Sequence, residues 1–201
     1  MKIGQLFNVS GKVAVVTGGS RGIGEMISAG FLANGVKVYI TARKEEPLIK
    51  KAKELSNEYN GTCIPIACDL SSSLGIDYFV KMIHEKENAI DFLINNAGAA
   101  WGEAYDKFSE VGWDKVMDLN VKSLFFLTQK LTEILKVRAS GDDPSRVINI
   151  GSIDGLNVPA FETYSYSTSK AAVHHLTRVM AAKLVKDCLL YTSDAADEAD
   201  G

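Results

Sequence analysis

The sequence predicts an α/β domain built on a doubly wound parallel sheet in three layers. Short runs of apolar, largely β-branched residues alternate with longer segments of helical periodicity, the pattern of parallel strands joined by crossover helices. The first run leads into a glycine-rich turn and then a helix, an arrangement that presents free backbone N–H groups to a phosphate. With 201 residues, 46% of them hydrophobic, the chain is long enough for one domain with a full core.

The first strand, turn and helix lie within residues 12–35. Residues 12–17 (KVAVVT) fit a buried strand, the turn GGSRGIG occupies residues 18–24, and helical spacing continues to Asn34-Gly35, a helix stop. Glycines are needed there because the backbone turns sharply and lets a pyrophosphate approach the helix N-terminus. The candidate cofactor-binding residues of this turn are Gly18, Ser20, Arg21, Gly22, Ile23 and Gly24.

The residues that follow the second strand, residues 36–40, indicate which dinucleotide the chain binds. An enzyme that uses NAD usually has an acidic residue about 20 positions past the glycines, which binds the ribose 2′-hydroxyl. This strand ends instead in Thr41-Ala42-Arg43. Arg43 and Arg21 can form a cationic clamp for a 2′-phosphate, although both can equally be solvated surface arginines. The missing acid favours NADP(H).

The remaining elements follow in the same alternation. Asp69, which follows the third strand, can cap the next helix, and small and amide residues at 95–98 follow the fourth strand. The predicted strands are residues 62–67, 90–94 and 146–150, and the predicted helices are residues 44–59, one starting near 71, 113–138 and 171–186.

Four polar residues fall where chemistry is expected. Tyr166 and Lys170 are four residues apart, which on a helix places both on one face, so an ammonium can favour the phenolate by roughly one to three pKa units. Ser152 ends the fifth strand, where open parallel sheets place their ligands. On the residues alone, Asn120 can be a cap or kink residue, Ser152 can satisfy a loop, and the Tyr-Lys pair can belong to an ordinary amphipathic helix.

Taken together, these motifs resemble the short-chain dehydrogenase/reductase family over roughly residues 9–187, with a Rossmann-type fold. The matching motifs are Thr17-Gly18-x-x-x-Gly22-Ile23-Gly24, Asn95-Asn96-Ala97-Gly98, and Ser152 followed by Tyr166-x-x-x-Lys170. The phrases VTGGSRGIG, Trp101-Gly102 and RVINIGS are most similar to its 3-oxoacyl-[acyl-carrier-protein] reductase group, in particular the rhamnolipid-biosynthesis branch.

The resemblance implies hydride transfer between NADPH and a carbonyl, with a 3-oxoacyl thioester as the expected substrate. Ser152 would bind the carbonyl oxygen, Tyr166 would act as general acid, Lys170 would lower the tyrosine pKa and hold the nicotinamide ribose, and Asn120 would hold a proton-relay water. It assigns Asp69 to the adenine amino group. The other cofactor contacts it implies are Leu70, Asn96, Ala97, Gly98, Tyr166 and Lys170.

Two alternatives stay open at this point. The same scaffold serves polyol, steroid or other secondary-alcohol dehydrogenases, because a fold does not determine its substrate. The chain can also be a non-catalytic NADPH-binding or regulatory protein, against which the complete set of four catalytic residues argues. Related enzymes commonly form homodimers or homotetramers through the long helices around Asn120 and Tyr166, and we expect the same of the parent enzyme.

Composition excludes several other classes. The formal charge is −3, with four acidic and no basic residues in the last fourteen positions, so we expect neither a nucleic-acid nor a membrane partner. Residues 1–12 lack the apolar core of a secretory signal and no apolar run reaches spanning length, which favours the cytoplasm. No metal site is expected, since His84, His174 and His175 lack ligand spacing and are taken as surface or packing residues.

Residues 188–201 are predicted to be a non-native tail. Related reductases continue from the last helix into further strands and a substrate-covering segment, whereas CLLYTSDAADEADG resembles a translated sequencing adapter. We therefore expect the family domain, residues 1–187, to be cut off near Asp187, which would leave the fifth strand unpaired and the cofactor weakly bound. Residues after Cys188 are expected to be disordered or packed without specificity. A genuine short acidic tail is the alternative.

Overall fold

The computed structural model describes residues 8–184, 186 and 189–194. Its strands are β1 (Val13–Thr17), β2 (Lys37–Ala42), β3 (Cys63–Ala67), β4 (Phe92–Asn95), β5 (Ser145–Ile150) and β6 (Leu189–Asp194). Its helices are α1 (Gly22–Ala33), α2 (Glu45–Glu58), α3 (Ser73–Lys86), α4 (Glu110–Met117), α5 (Ser123–Lys136) and α6 (Tyr164–Leu184). A π-helical turn (Asp118–Lys122) joins α4 to α5, and short 3-10 turns occupy Tyr105–Lys107 and Ile153–Gly155.

The six strands form one parallel sheet in the order β3-β2-β1-β4-β5-β6. The central strand β1 pairs with β2 on one side and with β4 on the other. The chain therefore reverses its winding direction between β1 and β4, and the loops after these two strands diverge. Such a switch point is where open α/β sheets bind ligands. The predicted doubly wound, Rossmann-type fold is confirmed.

The alternation of side chains in β1 divides the core between the two faces of the sheet. Val13 and Val15 belong to a cluster that includes buried residues of α3, α5 and α6. Ala14 and Val16 belong to a second cluster with buried residues of α1 and α2. Because successive residues of a strand point to opposite faces, one five-residue apolar run serves both layers of helices.

The sixth strand was not predicted, and the expectation of an unpaired fifth strand is wrong. β6 pairs in parallel with β5 from Ser145↔Leu189 to Ile150↔Asp194. Leu189 and Tyr191 are buried in the main core cluster, whereas Leu190 is exposed. Residues 189–192 therefore alternate between buried and exposed positions, with the period of two that a strand requires. Cys188 and residues 195–201, which the tail prediction also covers, lie outside the described residues.

The predicted single helix over residues 113–138 is also wrong in detail. It begins earlier, at Glu110, and the π-helical turn at Asp118–Lys122 divides it into α4 and α5. The helix expected near residue 71 begins at Ser73, and its N-cap is Ser72, whose hydroxyl accepts a hydrogen bond from the backbone N–H of Gly75. The other predicted elements agree with the structure except for shifts at their ends and an earlier start of α6. In the described part of the chain, no helix has the length and apolarity to cross a membrane.

The packing of β6 makes a testable prediction about stability. Leu189 is 2% exposed and Leu190 is 47% exposed, so substitution at the first position leaves a cavity while substitution at the second does not. We expect Leu189→Ala to lower the free energy of unfolding by about 2–4 kcal/mol and Leu190→Ala to change it by less than about 1 kcal/mol. Urea denaturation of both variants measures the difference. Equal effects would show that residues 189–194 pack without specificity.

Candidate active site

Hydrogen bonds tie the end of β1 to the end of β4. The Thr17 hydroxyl donates to the Ile94 carbonyl (3.2 Å) and accepts from the backbone N–H groups of Asn96 and Ala97, at 2.9 Å each. The Asn96 side-chain amide donates in return to the carbonyls of Thr17 (2.9 Å) and Gly18 (3.3 Å). The Asn96 side chain thus locks the end of β4 to the end of β1.

The glycine turn is shaped by close backbone approach. Gly18 has φ +66° and Gly22 has φ +55°, a region that favours glycine. A Cβ on Gly24 would lie 2.4 Å from the Gly18 carbonyl oxygen. Only glycine therefore permits this path into α1. No side chain caps the N-terminus of that helix, so the backbone N–H groups of its first turn remain for another acceptor.

A cavity of about 150 Å³ opens at the carboxyl edge of the sheet, where the predicted site residues meet. It is bounded by residues that follow β1, β4 and β5 and by the first turns of α6. The lining residues are Ile23, Asn96, Gly98, Ala99, Ala100, Ile150, Gly151, Tyr166 and Lys170. The predicted residues Ile23, Asn96, Gly98, Tyr166 and Lys170 are thus brought together.

Tyr166 and Lys170 lie on one face of α6 and are almost inaccessible, with 5% and 7% of their surfaces exposed. The Lys170 ammonium lies 5.5 Å from the centroid of the Tyr166 ring and donates a hydrogen bond to the Ile150 carbonyl at 2.8 Å. A buried ammonium needs such acceptors because desolvation is costly. The helix thus places a cation beside a phenol at the cavity wall, as the four-residue spacing predicted.

Ser152 lies buried just beyond the end of β5. Its hydroxyl oxygen accepts a hydrogen bond from the backbone N–H of Asp154 at 3.2 Å, which caps the 3-10 turn Ile153–Gly155. Among the described residues this hydroxyl donates to no acceptor, so its proton is available to a substrate oxygen. The loop-satisfying role and the catalytic role left open by the sequence are therefore compatible.

Asn120 occupies the middle of the π-helical turn and is buried. Its amide oxygen accepts from the N–H of Ala99 (2.8 Å), and its amide nitrogen donates to the Ala99 carbonyl (3.0 Å) and to the Ser169 hydroxyl (2.9 Å). Both amide hydrogens are consumed, so any water could contact only its remaining acceptor sites. The Ser169 hydroxyl in turn donates to the Tyr166 carbonyl at 2.7 Å.

Ser169 is a site residue that the sequence reasoning missed. It is fully buried and connects Asn120 to the backbone carbonyl of Tyr166. The signal was its position three residues after Tyr166, where a small polar side chain lies on nearly the same helix face. Its partner, Asn120, is 49 residues away in the chain, so periodicity alone could not identify the contact.

The predicted adenine-side and phosphate residues lie apart from this cavity. Arg21 and Arg43 are both exposed, and neither forms an ion pair with a residue that the structure describes. The Asp69 carboxylate accepts from the backbone N–H (3.0 Å) and the hydroxyl (2.7 Å) of Ser71. The interpretation of Asp69 as a helix cap is thus wrong, since Ser72 is the cap of α3, and the Leu70 side chain is buried in the core.

Two loops meet beside the beginning of α6. The carboxylate of Glu162 accepts from the Tyr164 hydroxyl (2.9 Å) and from the backbone N–H of Tyr105 (3.3 Å). The hydrogen bond to Glu162 raises the pKa of Tyr164, because it stabilises the protonated phenol. A hollow of about 410 Å³, lined by residues 157–164, Ser167 and Thr168, opens next to these contacts.

The loop after β4 is held in a similar way by Glu103. Its carboxylate accepts from the Trp101 indole N–H and from the backbone N–H and hydroxyl of Ser109, all at 3.0 Å. These hydrogen bonds, with that of Trp101 the largest cause, hold the pKa of Glu103 below its usual value. The Trp101 ring packs on Gly112, where a Cβ would come within 2.4 Å of the indole nitrogen. This loop is therefore firmly placed.

The three histidines differ from one another in the structure. His84 and His175 are exposed, as expected, but His174 is buried and its Nε2 lies 3.1 Å from the Ser152 carbonyl oxygen. The prediction of a surface or packing residue thus missed a polar contact of His174. No group of residues able to hold a metal ion occurs in the part of the chain that the structure describes.

The two cysteines that the structure describes are free thiols. Cys63 and Cys68 form no disulfide. Burial raises the pKa of Cys63 to about 12 and also raises that of Cys68. The thiolate, which is the reactive form, is therefore disfavoured at both positions, and both residues have structural roles.

The fold and this constellation define a nucleotide-binding α/β protein of the oxidoreductase type. The family model described as short chain dehydrogenase matches residues 12–188, and the chain belongs to that family. It is 44% identical over 179 residues to the rhamnolipids biosynthesis 3-oxoacyl-[acyl-carrier-protein] reductase of Pseudomonas aeruginosa, which covers 89% of this chain and 69% of the relative.

Two solved structures extend the comparison. The RhlG/NADP active-site complex from Pseudomonas aeruginosa has a TM-score of 0.91 at 42% identity, covering 94% of this chain and 73% of that one. The L-sorbose reductase of Gluconobacter frateurii, complexed with NADPH and L-sorbose, has a TM-score of 0.87 at 27% identity, with coverages of 92% and 69%. The family resemblance found in the motifs is confirmed.

The interlock between β1 and β4 yields a prediction about Asn96. Asn96→Asp keeps the shape of the side chain but turns a donor shared by two carbonyls into an acceptor, whereas Asn96→Ala only removes the donor. We expect Asn96→Asp to lower the free energy of unfolding by roughly 2–4 kcal/mol and by more than Asn96→Ala does. Urea denaturation at neutral pH measures both. A smaller loss for Asn96→Asp would mean that the amide hydrogen bonds do not hold the loop.

Proposed function

We propose that the protein is an NADPH-dependent reductase that converts a carbonyl to a secondary alcohol. The observation that carries the proposal is the burial of Tyr166 and Lys170 together at the wall of one cavity, with Ser152 at the adjacent strand end. A buried phenol beside a buried ammonium is costly to maintain without a function, because each polar group must be desolvated. Membership of the short-chain dehydrogenase family supports the same reaction class.

The residues present fit a nicotinamide dinucleotide. The turn between β1 and α1 leaves no room for a Cβ at Gly24 and leaves the helix N-terminus without a side-chain cap. A pyrophosphate suits this site because it accepts from the free N–H groups and favours the positive end of the dipole. The residues proposed to hold the cofactor are Gly18, Ser20, Arg21, Gly22, Ile23, Gly24, Arg43, Asp69, Leu70, Asn96, Ala97, Gly98, Tyr166 and Lys170. When bound, the cofactor supplies the hydride.

The choice of NADP(H) over NAD(H) rests on charge. Two exposed cations, Arg21 and Arg43, follow β1 and β2. The end of β2 reads Thr41-Ala42, with no acidic residue there to bind a ribose hydroxyl. A guanidinium pairs well with a phosphate and poorly with a neutral diol. The similar reductase structure in complex with NADP agrees with this choice.

Four side chains of the protein have separate roles in the proposed proton transfer. Ser152 donates a hydrogen bond to the carbonyl oxygen of the substrate, and Tyr166 gives its proton to that oxygen as the alcohol forms. Lys170, held by the Ile150 carbonyl, stabilises the negative charge left on the phenol. Asn120 supports a proton path with its remaining acceptor sites and positions α6 through Ser169.

We propose a 3-oxoacyl thioester as the substrate class. The hollow beside α6 is open and partly apolar, and its rim includes Val158 and Phe161, which are 97% and 76% exposed. An acyl chain can cover such residues and bury apolar surface. The bacterial 3-oxoacyl-[acyl-carrier-protein] reductase similar to this chain supports this class. The similarity to L-sorbose reductase makes a ketose the second candidate.

The assembly expected of the parent enzyme, a homodimer or homotetramer, stays a prediction. The long helices leave apolar side chains exposed at Phe126 on α5 and Val179 on α6. Contact between copies through these helices would cover them. Size-exclusion chromatography with light scattering measures the assembly directly.

The reaction is tested by a single-atom substitution in the phenol. Tyr166→Phe removes the transferable proton and little else, so we expect the NADPH-dependent reduction of an acetoacetyl thioester to fall at least about 100-fold. NADPH affinity should remain close to that of the unsubstituted protein. Tyr78→Phe is the matched control, because Tyr78 is 49% exposed on α3 and lies outside the linings of both cavities. A Tyr166→Phe protein with more than about a hundredth of the rate contradicts the assignment.

Cofactor choice is tested at the cation after β2. Removing the guanidinium in Arg43→Ala should weaken NADPH binding about 10- to 100-fold, the loss expected for one charge-assisted phosphate contact, while NADH affinity changes little. Arg178→Ala, which removes an exposed arginine from α6, should alter neither. Fluorescence titration with each nucleotide gives the dissociation constants. An equal loss for both nucleotides, or a preference for NADH before substitution, refutes the phosphate clamp.

A further inference from the structure

We propose that His174 is a positioning residue that fixes the backbone of Ser152, an inference that rests on the proposed reductase function. The imidazole is buried on α6, and its Nε2 lies 3.1 Å from the Ser152 carbonyl oxygen. A carbonyl oxygen can only accept a hydrogen bond, so Nε2 must carry the proton and donate it. The peptide group that follows Ser152 is thereby tied to the helix that carries Tyr166.

This contact is one of two hydrogen bonds that join α6 to backbone carbonyls at the carboxyl end of β5. One turn before His174, Lys170 donates to the Ile150 carbonyl at 2.8 Å. Residues four apart on a helix are separated by about 6 Å along its axis. Carbonyls two residues apart on an extended backbone point the same way and are separated by about 6.6 Å. These two spacings are nearly equal, so Lys170 and His174 of α6 can bind the carbonyls of Ile150 and Ser152 on either side of Gly151.

The local backbone is built to allow this close approach. A Cβ on Gly155 would lie 2.6 Å from the Lys170 carbonyl carbon and 2.9 Å from His174 Cδ2. Glycine at this position therefore lets the 3-10 turn after Ser152 lie directly against α6. The same turn is capped by the Ser152 hydroxyl, which accepts from the Asp154 N–H. The imidazole and this cap together leave Ser152 little freedom to rotate.

Such a role predicts an effect on turnover rather than on cofactor affinity. If His174 orients Ser152, its loss misplaces the hydroxyl that binds the substrate carbonyl, while the glycine turn that holds the nucleotide is untouched. A displaced hydroxyl positions the substrate carbonyl less well, and poorer positioning of the reacting groups lowers the rate of the chemical step. Loss of a residue that merely fills space would lower stability, but it would not lower turnover while leaving cofactor affinity unchanged.

The first experiment compares three variants of the full chain with NADPH and an acetoacetyl thioester. His174→Phe keeps an aromatic ring but removes the donor, and we expect kcat to fall about 3- to 10-fold with KM for NADPH changed less than about twofold. His174→Gln, which can place an amide N–H near the same point, should recover most of the rate. His175→Phe, at the exposed neighbour, should match the unsubstituted protein. Full activity of His174→Phe, or no recovery in His174→Gln, overturns the proposal.

A double-mutant cycle separates positioning from packing. In a Ser152→Ala background there is no hydroxyl left to orient, so His174→Phe should lower the residual rate no further. The same 3- to 10-fold loss in both backgrounds, estimated as above, would show that His174 acts independently of Ser152 and would overturn the inference.

The last measurement does not depend on catalysis. In a long-range ¹H–¹⁵N correlation spectrum of the ¹⁵N-histidine-labelled protein, His174 should carry its proton on Nε2, with slow exchange against solvent. A protonated Nδ1 with bare Nε2 would overturn the contact. A protein without reductase activity that still shows the protected Nε2–H refutes the proposed function while supporting the contact, so the two failures are distinguishable.

Discussion

The hydrogen bonds between Thr17 and Asn96 are the constraint on which the whole site depends. β1 and β4 are neighbours in the sheet, but the chain leaves their ends in opposite directions, so the two loops would otherwise separate. The Thr17 hydroxyl saturates two N–H groups of the β4 loop, and the Asn96 amide saturates two carbonyls of the glycine turn. These hydrogen bonds fix the position of the N-terminus of α1 relative to the floor of the cavity.

Most of this architecture is encoded by local sequence patterns. The run VAVVT predicts β1 because its side chains suit a strand buried on both faces, and Asn34-Gly35 ends α1 because Gly35 takes a positive φ. β6 was not predicted, because Leu189 and Tyr191 alternate with exposed residues over only a few positions, and so short a pattern becomes a strand through its pairing with β5. The ends of elements moved by a few residues where capping contacts, such as that of Ser72, determine them.

The candidate site was less predictable where it depends on contacts between distant parts of the chain. The spacing of Tyr166 and Lys170 predicted that they share one helix face, since four residues make about one helical turn. It could not show that Asn120 sits in a π-helical turn, because that irregularity lets the side chain reach Ala99, 21 residues earlier, and Ser169, 49 residues later. The polar contact of His174 was hidden for the same reason, since an apolar helix face gives no sign of a carbonyl opposite.

The cavity proposed for the reaction and the hollow proposed for the substrate have different linings. Of the groups proposed to move protons, Lys170, Ser152 and Asn120 are each held by hydrogen bonds to the protein, and Tyr166 is buried on α6. The hollow opens next to two loops joined through Glu162, and its outer rim leaves Val158 and Phe161 exposed. Because the proposed proton transfer requires a fixed geometry, we expect changes in residues 157–164, which line the hollow, to alter which carbonyl compounds the proposed reductase binds while Tyr166 stays in place. Substrate contacts made by loops on a fixed scaffold are a general way for one fold to serve different substrates.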